Sequence, residues 1–187
     1  SDTGGSTRVP AAFCGIVGLK PTTTRMPSDG IFPLSPSFDA AGPMANTVPC
    51  CAILDSLMAG GSGEDEAAFA VKGLRLALPK GYLFEDLDPH VASSFAAAID
   101  RLSASGADIS DITLAEIEAL RPSNDTKSIG AAEAYHLHQS KLEAGKDDQY
   151  DPLIAFRIKG GQDILASEYI EMFATRKRIW AAVQTAV

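Results

Sequence analysis

The run Ser1-Asp2-Thr3-Gly4-Gly5-Ser6-Thr7-Arg8 holds the chain's most chemically suggestive spacing. Two glycines before a serine let the backbone turn sharply, so that successive N–H groups face one point. Such a nest stabilises negative charge, as an oxyanion hole requires, and a hydroxyl at its end can attack a carbonyl held there. That makes Ser6 the candidate nucleophile and the amides of Thr3, Gly4, Gly5 and Ser6 the candidate oxyanion donors. Gly-Gly-Ser also occurs in plain turns, so the triplet alone does not separate catalysis from turn-making. The G-x-S-x-G elbow is excluded, because Arg8 stands where its second glycine belongs. Asp2 suits the role of a brace that accepts backbone hydrogen bonds. Arg8 and Arg25 suit pairing with a structural carboxylate such as Asp2 or Asp39, or bidentate contact with a substrate carboxylate.

Other reactive side chains are weaker candidates. His136 and His138 are two apart on an expected helix and point in different directions, a poor metal pair, and His90 opens a helix at the surface. Cys14 follows Ala11-Ala12-Phe13 with no adjacent cation to depress its pKa, so core packing is expected of it. The three cysteines Cys14, Cys50 and Cys51 have neither disulfide nor zinc spacing and read as small buried hydrophobes in a reducing, cytoplasmic setting. No metal or cofactor is called for. The acidic run Glu64-Asp65-Glu66 and the patch Lys146-Asp147-Asp148 read as solvated loops.

Composition bounds the rest. The 187 residues, 45% hydrophobic and 21% charged, suffice for one sizeable core. A formal charge of -8 lacks the basic footprint of a nucleic-acid binder, and no apolar run reaches a membrane span.

The elements around Ser6 follow from turn chemistry and periodicity. Residues 1 to about 48 are rich in Gly, Pro, Ser and Thr and read as chain threaded over a core and lining a site. A helix follows, capped by Thr47, with Pro49 in its first turn, an apolar face of Ala52, Ile53, Leu54, Leu57 and Met58, and Gly60-Gly61 as its stop. Leu74 to Pro79 alternates as a strand, and Asp88-Pro89 starts a helix carrying Val91, Phe95, Ile99 and Leu102. Gly106 closes that helix and Ala107-Asp108-Ile109 begins a second strand, a βαβ order that implies a sheet with helices on its faces. From Leu114 the pattern is helical, broken near Pro122, Gly145 and Gly160-Gly161. The last helix carries Tyr169, Ile170, Phe173, Ile179, Trp180 and Val183 on one stripe.

The string SDTGGSTRVPAAFCGIVGLKPT, residues 1 to 22, closely resembles the signature block of the amidase-signature family. The likeness continues through Arg25, Asp29-Gly30, Ser37-Phe38-Asp39 and Gly42-Pro43-Met44, and more loosely through Tyr150-Asp151-Pro152, Arg157, Gly160 and Glu168-Tyr169-Ile170. It implies an α/β fold: a partial amidase-signature domain, 1–187, whose mixed twisted sheet is flanked by helices as an α/β/α sandwich. Residues 1–60 would form the signature loop and following helix, 61–112 the strand–helix–strand, and 113–187 the helical region. It also implies a Ser–cis-Ser–Lys triad with Ser6 as nucleophile, an acyl-enzyme, and a small-molecule amide substrate split to acid and ammonia or amine.

In the family the lysine and the cis-serine precede the nucleophile block, which here opens five residues before Ser6. Lys20 matches the family's G-L-K-P-T block instead. The expectation is therefore a fragment, inactive alone, that associates with further copies or with the absent parts of its domain. Departures are modest: Thr7 replaces an aliphatic residue, Asn46 an arginine, and Pro49-Cys50 a small–acidic pair. Two alternatives stand beside the amidase reading. One is the catalytic subunit of a tRNA-dependent glutamine amidotransferase, which resembles this chain less because those subunits have glutamine where Val9 sits. The other is a non-catalytic structural module.

Overall fold

The computed structural model describes residues 1–63, 70–118, 120 and 127–186. Glu64-Asp65-Glu66 and the expected break at Pro122 lie outside the described residues. In chain order the elements are α1 (Arg8–Cys14), β1 (Val17–Gly18), β2 (Met44–Ala45), α2 (Val48–Met58), β3 (Arg75–Pro79), α3 (Pro89–Ala104), β4 (Asp108–Ile112), α4 (Ala115–Glu118), α5 (Ile129–Glu143), α6 (Pro152–Lys159) and α7 (Ala166–Ala186). They are divided between two compact units, Ser1–Ala67 with Asp125–Met172 and Ala68–Asn124 with Phe173–Val187. This is a mixed α/β chain of small sheets and many helices.

The first unit holds the signature block. α1 stops at Gly15, whose φ of 66° is open to glycine at little cost, and the N–H of Ile16 caps the Ala11 carbonyl at 3.0 Å. The chain then enters β1, which pairs antiparallel with β2, Val17 opposite Ala45 and Gly18 opposite Met44. α1 lies so close to β1 that a Cβ on Gly18 would come within 2.7 Å of Ala11 Cβ and 2.8 Å of the Thr7 carbonyl oxygen. α2 begins as its sequence dictates: the Thr47 hydroxyl accepts from Cys50 N–H at 3.3 Å and Pro49 sits in the first turn.

In the same unit, the Ser128 hydroxyl caps α5, and the Asp151 carboxylate caps α6 through the amides of Leu153 and Ile154. α5 and α6 pack closely: a Cβ on Gly161 would lie 2.0 Å from the Ala131 carbonyl oxygen. Ala134, His138, Ala155 and Ile158 are buried in this unit.

In the second unit β3 and β4 run parallel, in register from Arg75 opposite Asp108 to Pro79 opposite Ile112, and α3 connects them. This is the expected βαβ order. Asp88 caps α3 through His90 N–H at 2.8 Å. The α3 stripe is less covered than its periodicity suggests, with Val91 55% and Phe95 40% exposed. A two-stranded ribbon, its strands about 4.8 Å apart, is narrower than a helix of about 10 Å with side chains, and cannot cover one face of it. The α7 stripe also needs correction: Tyr169, Phe173, Ile179 and Val183 are half-buried, whereas Ile170 and Trp180 are exposed. Among the described residues, no helix is long and apolar enough to cross a membrane.

Candidate active site

Asp2 organises the turn that ends in Ser6. Its backbone forms an antiparallel bridge with Ala40, and its side chain is fully buried. The carboxylate accepts the N–H of Gly5 at 2.7 Å, that of Thr7 at 3.3 Å and that of Arg8 at 3.4 Å, and two guanidinium hydrogen bonds from Arg8 at 3.0 and 3.2 Å. The Arg8 bonds dominate in holding this carboxyl down at about 2, burial opposes them, and the three amides help. The same bonds push the Arg8 guanidinium upward. Gly5 takes φ 125°, a backbone region closed to most side chains, which bends the chain around the Asp2 carboxylate.

Ser6 is exposed on this turn, and among the described residues its hydroxyl makes no hydrogen bond. Of the four amides expected to converge, that of Gly5 is engaged by Asp2. Those of Thr3, Gly4 and Ser6 have no hydrogen-bond acceptor among the described residues. The Thr3 hydroxyl donates to Asp39 Oδ1, while Asp39 Oδ2 accepts the amides of Leu34 at 2.8 Å and Ser35 at 3.0 Å. Asp39 thus clamps the loop 34–40 against the turn that carries Ser6.

The two arginines separate. Arg8 pairs with Asp2, as its spacing suggested. Arg25 reaches neither Asp2 nor Asp39 but Asp55 on α2, with Nη2 to Oδ2 at 2.6 Å and Nε to Oδ2 at 2.7 Å. Asp39 is engaged by Thr3 and by the amides of Leu34 and Ser35, and the partner of Arg25 lies 30 residues along the chain, which local spacing could not reveal. The ammonium of Lys20 donates to the Pro21 carbonyl at 2.9 Å.

The cysteine expectation is corrected. Cys14 and Cys50 are exposed and only Cys51 is buried, its thiol donating to the Val17 carbonyl at 3.4 Å. Cys14 ends a helix of seven residues whose inner face is already occupied by Ala11. His138 is buried against Tyr150, Nδ1 to hydroxyl 2.9 Å, and burial pushes its imidazole down. His90 and His136 are exposed. Among the described residues, no group of three His, Cys, Asp or Glu gathers to hold a metal ion.

Sequence reasoning passed over Glu133. Both of its oxygens are occupied by donors from Ser35, Ser37 and Tyr169. The available signal was a lone carboxylate in the small-residue stretch Gly130-Ala131-Ala132-Glu133-Ala134. Glu133 and Tyr169 line a cavity of about 460 Å³ with Tyr135, His136, Gln139 and Gln162. A smaller cavity of about 170 Å³ is lined by Ser1, Met26, Ile31, Asp39 and Ala40 among others. Ser6 lines neither.

Comparisons with known proteins agree in kind. The family model described as Amidase matches residues 1–187. The chain is 32% identical over 197 aligned positions to an amidase of Pseudomonas putida, covering 98% of this chain and 42% of that protein. It is 43% identical over 127 positions to a glutamyl-tRNA(Gln) amidotransferase subunit of Methylococcus capsulatus, covering 61% of this chain and 26% of that one. A crystal structure of an amidase superposes with a TM-score of 0.81 at 26% identity, covering 97% of this chain and 40% of its own. The chain therefore spans about two fifths, or less, of the length of these relatives. By the match along its whole length and the fold it shares, the chain belongs to the amidase family.

Proposed function

We propose that this chain carries the nucleophile segment of a serine amidase acting on a small-molecule carboxamide. Ser6 Oγ attacks the amide carbon, and the amides of Thr3, Gly4 and Ser6 take the developing oxyanion while Asp2 holds Gly5 and the turn in place. The carbon–nitrogen bond then breaks, ammonia or an amine leaves with a proton, and water hydrolyses the resulting ester to free the acid and restore Ser6. Among the described residues no base accepts the Ser6 hydroxyl. The resemblance assigns that role to a neutral lysine acting through a cis-serine upstream of the signature block.

One observation carries this reading: an exposed serine ends a turn fixed from inside by a buried, ionised carboxylate, beside three amides without an acceptor among the described residues. A plain Gly-Gly-Ser turn needs no such brace. In the intact protein that carries this chain, Ser6→Ala should lower amide hydrolysis by about a thousandfold or more. Normal turnover in that variant would remove the assignment.

The likeness to a glutamyl-tRNA(Gln) amidotransferase supports a second reading, in which the amide is glutamine and the ammonia passes to a partner-held substrate. Val9, standing where those proteins have glutamine, ranks it below the first. Glutaminase activity that depends on a co-purifying partner would reverse the order.

A further inference from the structure

We propose that Glu133 is a positioning residue for the nucleophile turn: through the loop 34–40 it sets where Thr3 and Asp2, and hence the oxyanion donors and Ser6, stand. This rests on the amidase reading above. Glu133 lies on α5, half-buried, 127 residues from Ser6 in sequence. Its Oε2 accepts the Ser35 hydroxyl at 2.5 Å and the Ser37 amide at 3.1 Å, and its Oε1 accepts the Ser37 hydroxyl and the Tyr169 hydroxyl, the latter at 2.8 Å. A carboxylate offers about four acceptor positions, so this one is filled. Every donor is neutral, and among the described residues no lysine or arginine pairs with Glu133.

That pattern separates a brace from an ordinary ion pair. A Lys–Glu contact tolerates movement of a long side chain. Four hydrogen bonds from Ser35, Ser37 and Tyr169 hold the loop against two helices in one geometry. The bonds to Ser35, Ser37 and Tyr169 keep the group ionised against the cost of burial.

From Ser35 the links continue without a gap. The Ser35 carbonyl accepts the amides of Phe38 at 2.9 Å and Asp39 at 2.8 Å, and Asp39 Oδ2 returns to the amides of Leu34 and Ser35. Asp39 Oδ1 holds the Thr3 hydroxyl, and Ala40 exchanges two backbone hydrogen bonds with Asp2, at 2.8 and 3.2 Å. Asp2 in turn holds Gly5, Thr7 and Arg8. Thr3 and Asp2 are the residues whose positions aim the candidate oxyanion donors. Because a misplacement of about 1 Å at a reacting centre costs up to about 100-fold in rate, loosening Glu133 should act on the chemical step rather than on substrate capture.

The test uses the intact protein with Glu133→Gln, Ser35→Ala and Ser6→Ala. It measures kcat and KM on a simple amide, the rate constant and amplitude of Ser6 labelling by a fluorophosphonate, and the melting temperature. In Glu133→Gln an NH2 group replaces one acceptor and faces two donors; kcat and the labelling rate constant should both fall roughly 10- to 100-fold. KM should stay within about threefold, and labelling amplitude per folded protein should be unchanged. Ser35→Ala, which removes one of the four bonds from an otherwise intact loop, should give a smaller parallel fall. If Glu133→Gln does not fold, Ser35→Ala decides alone. Rate constants within twofold of the parent in the folded variants, or a loss seen only as reduced amplitude, would overturn the proposal while leaving the amidase reading intact. Full turnover by Ser6→Ala would overturn that reading and this inference with it.

Discussion

At the scale of single residues, the buried Asp2 carboxylate decides most about the site. Its pKa of about 2 lies below the ordinary value of 3.8, so folding favours the ionised form. The resulting stabilisation, about 2 kcal/mol, is complete above the unfolded value near pH 4 and disappears as the pH falls through about 2. Asp2→Asn should therefore unfold at lower urea than the parent at pH 7, with the gap narrowing from pH 4 downward. A gap that does not change with pH would show that the ion pair with Arg8 is not its source. Arg8 is half-exposed, and its guanidinium is held in a fork on Asp2, so Arg8→Lys should lower stability despite keeping the charge, because an ammonium lacks the planar fork that matches both carboxylate oxygens. Thermal unfolding of the two proteins side by side checks this.

At the scale of elements, close backbone approach matters more than apolar area. α1, which begins two residues after Ser6, rests on β1 at Gly18, where a Cβ would press on Thr7 and Ala11. Gly18→Ala should cost about 1–3 kcal/mol, read as a lowered urea midpoint, and should slow Ser6 labelling because the strain reaches Thr7, next to the proposed nucleophile. The α2 cap is a milder test: Thr47→Ala should cost about 1 kcal/mol in the same assay. These boundaries were legible in the sequence because caps and prolines act over two or three residues. Thr47 and Asp88-Pro89 both start helices where their chemistry demands.

At the scale of the molecule, apolar surface stands open on elements of both units: Phe13 is 88% exposed, Phe32 70%, Val48 67% and Trp180 64%. In the Pseudomonas putida amidase and the superposed amidase structure the matched segment is about two fifths of the chain. Residues 1–187 prepared alone should therefore self-associate, and sedimentation showing a monodisperse monomer at micromolar concentration would contradict this. The amino-acid order by itself determined what short-range chemistry can specify: the Gly-Gly-Ser turn, the caps, the βαβ order, and a signature block dense enough to place the family. Tertiary structure alone decided the rest. It sent Arg25 to Asp55 rather than Asp39, brought Cys14 to the surface, left Val91 and Phe95 of the α3 stripe exposed, and joined Glu133 to a loop 96 residues away. The reason is one of range. A cap or turn is satisfied by neighbours a few residues off, whereas a charged side chain takes whichever partner the folded chain brings within about 3 Å, and no periodicity along the sequence records that meeting.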